Sequence, residues 1–121
     1  MRDNKETFTK IFGQPGNQVL ERIRAYSPRL TDHVYDYIAA DLYAGPALSV
    51  RDRELCVISS LASQGGLSEQ LTVHIKTARR NGVTRAEIIE TIETVGSYAG
   101  IPRALNALFT AIEIFEAEQA N

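Results

Sequence analysis

Apolar residues recur along this chain at helical spacing, and glycine, proline or a capping residue interrupts the pattern at short intervals. A first helix is predicted from about Asp3 to Phe12, ending at Gly13. A second is expected after Pro15-Gly16, carrying Val19, Leu20 and Ile23. The Ser27-Pro28 pair ends it, because a residue before proline avoids the helical region. Leu30, Val34, Tyr37, Ile38 and Leu42 then form a stripe at helical spacing, closed by Gly45-Pro46. Ser49 opens the next helix, where its hydroxyl can cap free backbone amides, with Asp52 three residues on. That helix is expected to run to about Ser63, where Gly65-Gly66 stops it. Its apolar residues Val50, Leu55, Cys56, Val57, Ile58, Leu61 and Ala62 go most of the way round the cylinder. Such a helix is central, or sandwiched between subunits.

Ser68 begins a further helix that Asn81-Gly82 closes with a left-handed cap. Thr84 and Glu87 have the spacing of a capping box for the helix that follows, which ends at Gly100. Pro102 suits an early position of the last helix, whose expected apolar face is Ile101, Leu105, Leu108, Ile112 and Phe115. No segment alternates with period two, so no sheet is expected. The pattern predicts an all-α, compact bundle of about six to seven helices.

A length of 121 residues fits one domain spanning 1–121, large enough to bury one core with little to spare. The net charge is −2 with both signs mixed, so the basic footprint of a nucleic-acid binder is missing. No apolar run reaches the roughly 18 residues of a membrane span. Met1 to Lys10 is polar and lacks the apolar centre of a secretory signal, which makes the cytoplasm the expected location. A single cysteine, Cys56, excludes a disulfide framework and a CxxC pair within one chain. Two histidines, His33 and His74, make no zinc site without distant carboxylates or a neighbouring chain, and no metal is expected.

His74 shares a helix face with Leu71 and Ala78, while Glu69, Gln70, Lys76 and Arg79 lie elsewhere on the wheel. An imidazole turned inward loses water and needs a partner. That partner is either a backbone carbonyl, making His74 a core residue, or a group with which it does chemistry. Glu54 sits one turn before Ile58 and two before Leu61, at the edge of the most apolar helix. It is either a first-turn acid favouring the helix dipole, with Arg51 and Arg53 beside it, or the partner that fixes the His74 tautomer. Cys56 joins Ser59, Ser60 and Ser63 in a small-residue face, which reads as close packing, with a reactive thiol as the alternative. Tyr98, just before Gly100, either packs or reaches a cleft, and His33 among polar neighbours is expected at the surface.

Several phrases resemble one known family. They are Arg53-Glu54-Leu55, Leu71-Thr72-Val73-His74-Ile75, the run Asn81 to Ile88, and Tyr98-Ala99-Gly100-Ile101-Pro102-Arg103-Ala104. In order and spacing the stretch from about 49 to 115 resembles the carboxymuconolactone decarboxylase family, within the wider AhpD-like group. Residues upstream of Ser49 fit less well. The resemblance implies a compact AhpD-like helical bundle that assembles as a homo-oligomer, a trimer or hexamer, with its cleft near subunit contacts. The peroxidase branch of that group looks like a glutamate, a CxxC and a histidine. Here Glu54 and His74 match, but Gly65 to Gln70 holds no cysteine. The decarboxylase branch is closer. It implies loss of CO₂ from a small carboxylated, unsaturated lactone, a step that needs no cofactor because the substrate is its own electron sink. On that reading His74 and Glu54 are catalytic, Arg51 or Arg53 holds a substrate carboxylate, and Tyr98 and Cys56 lie near the substrate. A one-cysteine thiol reductase or peroxidase, and a non-catalytic oligomeric module, are the competing expectations.

Overall fold

The computed structural model describes residues 4–120, and they fall into two compact units, Met1–Val50 and Arg51–Asn121. Among the described residues every regular element is helical. Among them no helix is long and apolar enough to cross a membrane.

The first unit holds α1 (Asn4–Phe12), α2 (Gln14–Arg24), α3 (Pro28–His33), a π-helix (Val34–Ala39) and a 3-10 turn (Leu42–Ala44). Asp3, the expected start of the first helix, lies outside the described residues. The α2 helix begins before Pro15 rather than after Gly16, because proline in a first turn forfeits an amide that has no helical partner. Ser27 ends the run as expected and caps α3, its hydroxyl accepting from the Leu30 amide at 3.3 Å.

Of the expected stripe of Leu30, Val34, Tyr37, Ile38 and Leu42, Val34 and Ile38 are partly buried and pack against the core, and the other three do not form its inward face. Leu30, Tyr37 and Leu42 are exposed, whereas Thr31, Tyr35, Ala39 and Tyr43 are buried. The reason is the π-helix, in which the Ala40 amide bonds the Tyr35 carbonyl five residues back at 3.1 Å. Its wider turn brings every fourth residue to the core. Tyr35 meets Phe8 edge-on with ring centroids 5.2 Å apart, and its hydroxyl lies 3.2 Å from Asn17 Oδ1 and 3.3 Å from Glu21 Oε2.

The second unit contains the rest of α4 (Val50–Gln64), then α5 (Ser68–Arg80), α6 (Arg85–Ala99) and α7 (Ile101–Ala120). Gly65 and Gly66 turn the chain with φ of 74° and 72°, which glycine adopts without the clash a Cβ would cause. After α5 the left-handed residue is Gly82, at φ 93°, and Asn81 stays at φ −101°. The Thr84–Glu87 capping box forms as expected. The core gathers around Ile58, Ile75, Val83, Ile88 and Ile92.

The face that α7 turns inward differs from the expected one. Ala104, Ala107, Ala111, Ile114 and Phe115 are buried and Leu108 is partly so, while Ile101, Leu105 and Ile112 are exposed. Small residues allow α6 and α7 to approach closely. A Cβ placed on Gly96 would stand 3.2 Å from the Ala104 methyl. The last turn of α7 is clamped by Glu118, which accepts from Arg79 Nη2 at 3.0 Å and Arg85 Nη2 at 2.9 Å.

Candidate active site

Glu54 shares its α4 face with Ile58 and Ala62, one and two turns on, and all three are buried. That face carries the carboxylate into the second unit instead of out to water. On α5, His74 lies between Leu71 and Ala78 on the inward face. The two side chains meet, with His74 Nδ1 2.7 Å from Glu54 Oε2. Glu54 is fully buried and the His74 side chain is 14% exposed.

The contact pairs a carboxyl oxygen with a ring nitrogen, and which atom donates follows from the charge of the carboxyl. Against an ionised carboxylate, which only accepts, Nδ1 carries the hydrogen and donates it. Burial makes this pairing consequential, because removing either partner strands a polar atom away from water. Such a contact is one that can hold an imidazole in place for acid–base chemistry, with the carboxylate setting its tautomer and orientation.

The other candidates are placed differently. The half-exposed guanidinium of Arg51 bonds the Glu87 carboxylate across to α6, and its Nη1 lies 3.1 Å from Asp52 Oδ1. Glu87 in turn accepts from the Thr84 amide at 2.9 Å. That backbone bond, together with Arg51, holds the Glu87 carboxyl down at about 2. Arg51 is thereby built into the framework. Arg53, next to Glu54 in the chain, is half-buried. Cys56 is exposed rather than packed, because it falls on the outer side of α4. Tyr98 is 90% exposed at the C-terminal end of α6 and contributes no packing. His33 is at the surface, as expected.

Two recesses in this unit were not read from the sequence, and His74 lines neither. One, of about 40 Å³, is bordered by Gly65, Ser68, Leu71, Arg103, Asn106 and Thr110. Its signal was the spacing of Arg103, Asn106 and Thr110 along one helix face. The other, about 240 Å³ and open, is bordered by Leu55, Glu87, Glu90, Thr91 and Thr94. Among the described residues no three His, Cys, Asp or Glu side chains stand close enough to hold a metal ion.

Residues 28–113 match the carboxymuconolactone decarboxylase family. The chain belongs to that family. The match starts well before Ser49, so the likeness includes α3 and the π-helix as well as the stretch from 49 onward. Among curated proteins of known sequence, the chain is 27% identical over 112 residues to a 4-carboxymuconolactone decarboxylase of Acinetobacter baylyi, covering 92% of this chain and 83% of that protein. It is 28% identical over 129 residues to an uncharacterised 15.0 kDa protein from the nqo9–nqo10 intergenic region of Paracoccus denitrificans, covering 93% and 96% respectively. Family membership gives the buried Glu54–His74 pair a chemical context, since both residues lie inside the matched span.

Proposed function

We propose that this family member is a carboxy-lyase that decarboxylates a small γ-carboxylated, unsaturated lactone or a related cyclic acid without a cofactor. In the step envisaged, the bond from the ring carbon to the carboxylate breaks and CO₂ leaves. Its electron pair flows through the double bond into the lactone carbonyl, giving a dienolate, and a proton returns to carbon. One CO₂ is released and one proton is taken up. The protein has two tasks: to stabilise the oxyanion and to supply the proton. His74, having taken a proton from water to become an imidazolium, either donates its Nε2–H to the oxyanion or delivers that proton to carbon, and Glu54 positions the ring. Arg53 holds a substrate carboxylate through paired hydrogen bonds, and Arg51, engaged with Glu87, supports the helix pair instead.

The single observation behind this reading is the 2.7 Å contact between a fully buried glutamate and a nearly buried histidine. The named relative from Acinetobacter baylyi supports the choice of substrate class. In this proposal the working form is a homo-oligomer, a trimer or hexamer, in the cytoplasm.

The test is turnover of a γ-carboxylated unsaturated lactone, followed as CO₂ release, by the wild type and by His74→Asn. The variant is expected to lose roughly 10²–10⁴ in turnover, the range for removal of a general acid–base. Turnover by His74→Asn at the wild-type rate with the same pH profile would overturn the assignment and leave His74 as a core residue. The exposure of Cys56 keeps a thiol reaction testable in parallel. Peroxide reduction by it would need a second thiol, from another chain or a small molecule, to resolve the sulfenic acid.

A further inference from the structure

At the end of α4 the chain turns through Gly65-Gly66 into α5, and one side of α7 borders that turn. The smaller of the two recesses lies there. Its base is apolar, since Ala62, Leu71 and Ala107 are all buried. Its rim is polar, with Ser68 from α5 and Arg103, Asn106 and Thr110 from one face of α7. Among the described residues no Asp or Glu lines it. The larger recess is the reverse, bordered by Glu87 and Glu90 and by no Lys or Arg. In a chain with more acids than bases, the smaller recess thus carries one charged side chain, and it is a cation.

Arg103 is tied down on one edge. Its Nη1 donates to the Ala99 carbonyl at 3.3 Å. Its stem runs beside Gly65, where a Cβ would stand 3.4 Å from Nε and 3.7 Å from Cγ. Arg51, Arg79 and Arg85 each end on a carboxylate. Among the described residues none reaches Arg103. Its Nε–H and Nη2–H edge therefore keeps both hydrogens, at the spacing that meets two carboxylate oxygens at once. Asn106 brings an amide that can donate, whereas Thr110 directs its hydroxyl hydrogen to the Asn106 carbonyl at 3.3 Å. Leu67 occupies the N-cap of α5 and no side chain caps the amides that follow, so the helix end also favours an anion.

We infer that this recess is a subsite for a carboxylate group, gripped by the open edge of Arg103 and seated against the first turn of α5. Size selects the ligand class. About 40 Å³ is room for roughly three water-sized groups, and a carboxylate has three heavy atoms. A tetrahedral phosphate is larger, and would press an oxygen on the apolar base. Leu71 stands one turn before His74 on the same face of α5, roughly 4.5 Å along the axis. One small molecule can span that distance. The carboxylate is therefore either a substituent of the substrate or a separate small acid. An arginine stabilises the charge that CO₂ loss removes, so a substituent held here is one that stays on the product. Binding itself does not depend on the role given to His74.

The experiment titrates sodium acetate into the ¹⁵N-labelled full chain at constant pH and ionic strength, with NMR of the Arg103 Nε–H and the Ser68 and Glu69 amides. These signals should shift together and saturate with a Kd on the order of millimolar. Acetamide, similar in shape but uncharged, should leave them in place, and inorganic phosphate should bind about tenfold more weakly or less. Arg103→Gln should raise the acetate Kd about tenfold or more, and Arg103→Lys should nearly match it, because lysine keeps the charge and loses the fork. Asn106→Asp, at a second exposed rim position, should weaken acetate likewise by placing an anion beside Arg103. Circular dichroism checks that the variants fold. Turnover separates the two sources. For a substituent of the substrate, acetate competes, and Arg103→Gln raises KM only for lactones that carry a second carboxylate. For a separate acid, acetate does not compete and acts on all lactones alike. His74→Asn should leave acetate binding unchanged, which keeps this test apart from the proposed chemistry. Acetate that shifts none of these signals, that binds Arg103→Gln as tightly as the wild type, or that binds no better than phosphate would overturn the inference.

Discussion

The buried Glu54–His74 contact sets the expectations at the scale of single residues. Glu54→Gln keeps an acceptor for the imidazole but not the negative charge that stabilises an imidazolium. It should therefore lower turnover by less than His74→Asn does, and steady-state kinetics on the two variants checks the order. Equal or larger loss from the glutamine would move Glu54 from a positioning role to direct contact with substrate. Cys56, exposed on α4, should be dispensable: Cys56→Ser is expected to hold activity within about tenfold, roughly 1.4 kcal/mol of barrier. A drop of several orders of magnitude with the fold intact would favour the thiol mechanism. The sequence already singled out Glu54 and His74, because a polar residue on an apolar face demands a partner. That they partner each other was beyond it, since twenty residues and a helix reversal separate them. The same holds for Arg51 and Glu87, 36 residues apart. Local spacing announced the capping duty of Glu87 and said nothing of its second bond. Cys56 and Tyr98 were misjudged for a related reason. Helical phase places a residue on a side of the cylinder, and only packing says whether that side is covered.

At the scale of elements, the start of α6 links a cap to an ion pair. Glu87 is held at about 2 by the Thr84 amide first and Arg51 second, against an ordinary value of 4.5. A depressed carboxyl stabilises the folded chain fully above its unfolded value and progressively less as pH falls through the folded one. The contribution from Glu87 should thus be intact at neutral pH and fade from about 4.5 down to about 2. Glu87→Gln retains the capping box but not the charge. The melting-temperature gap between wild type and this variant should close over that window. A gap that stays constant down to the lower end would show that the charge contributes nothing. Capping boxes, glycine stops and the proline positions were legible in the sequence because each depends on one or two neighbours. The inward faces of the Leu30–Leu42 stretch and of α7 were not. In the first a π-helix changes the period, and in the second the close approach of α6 selects alanine, which a search for large apolar residues passes over.

At the scale of the whole molecule, family membership is secure and every regular element among the described residues is helical, as the absence of period-two alternation led one to expect. A 121-residue chain has little interior, and this one devotes much of the inner side of α7 to alanine. Steric tolerance along that helix is inverted as a result. Ala107 and Ala111, at 2% and 0% exposure, have no room, and Ala107→Leu should cost about 1–3 kcal/mol of folding stability by overpacking, read from denaturant unfolding. An unchanged midpoint would mean that α6 can yield. Leu105→Ala, by contrast, should leave unfolding of the isolated chain nearly unaltered. A library covering every position of α7 would then give two different maps. Selection for a folded chain would conserve the smallest residues and release the largest. Selection for working protein would conserve the smallest residues and any exposed large ones that function also requires, and the difference between the maps would name those.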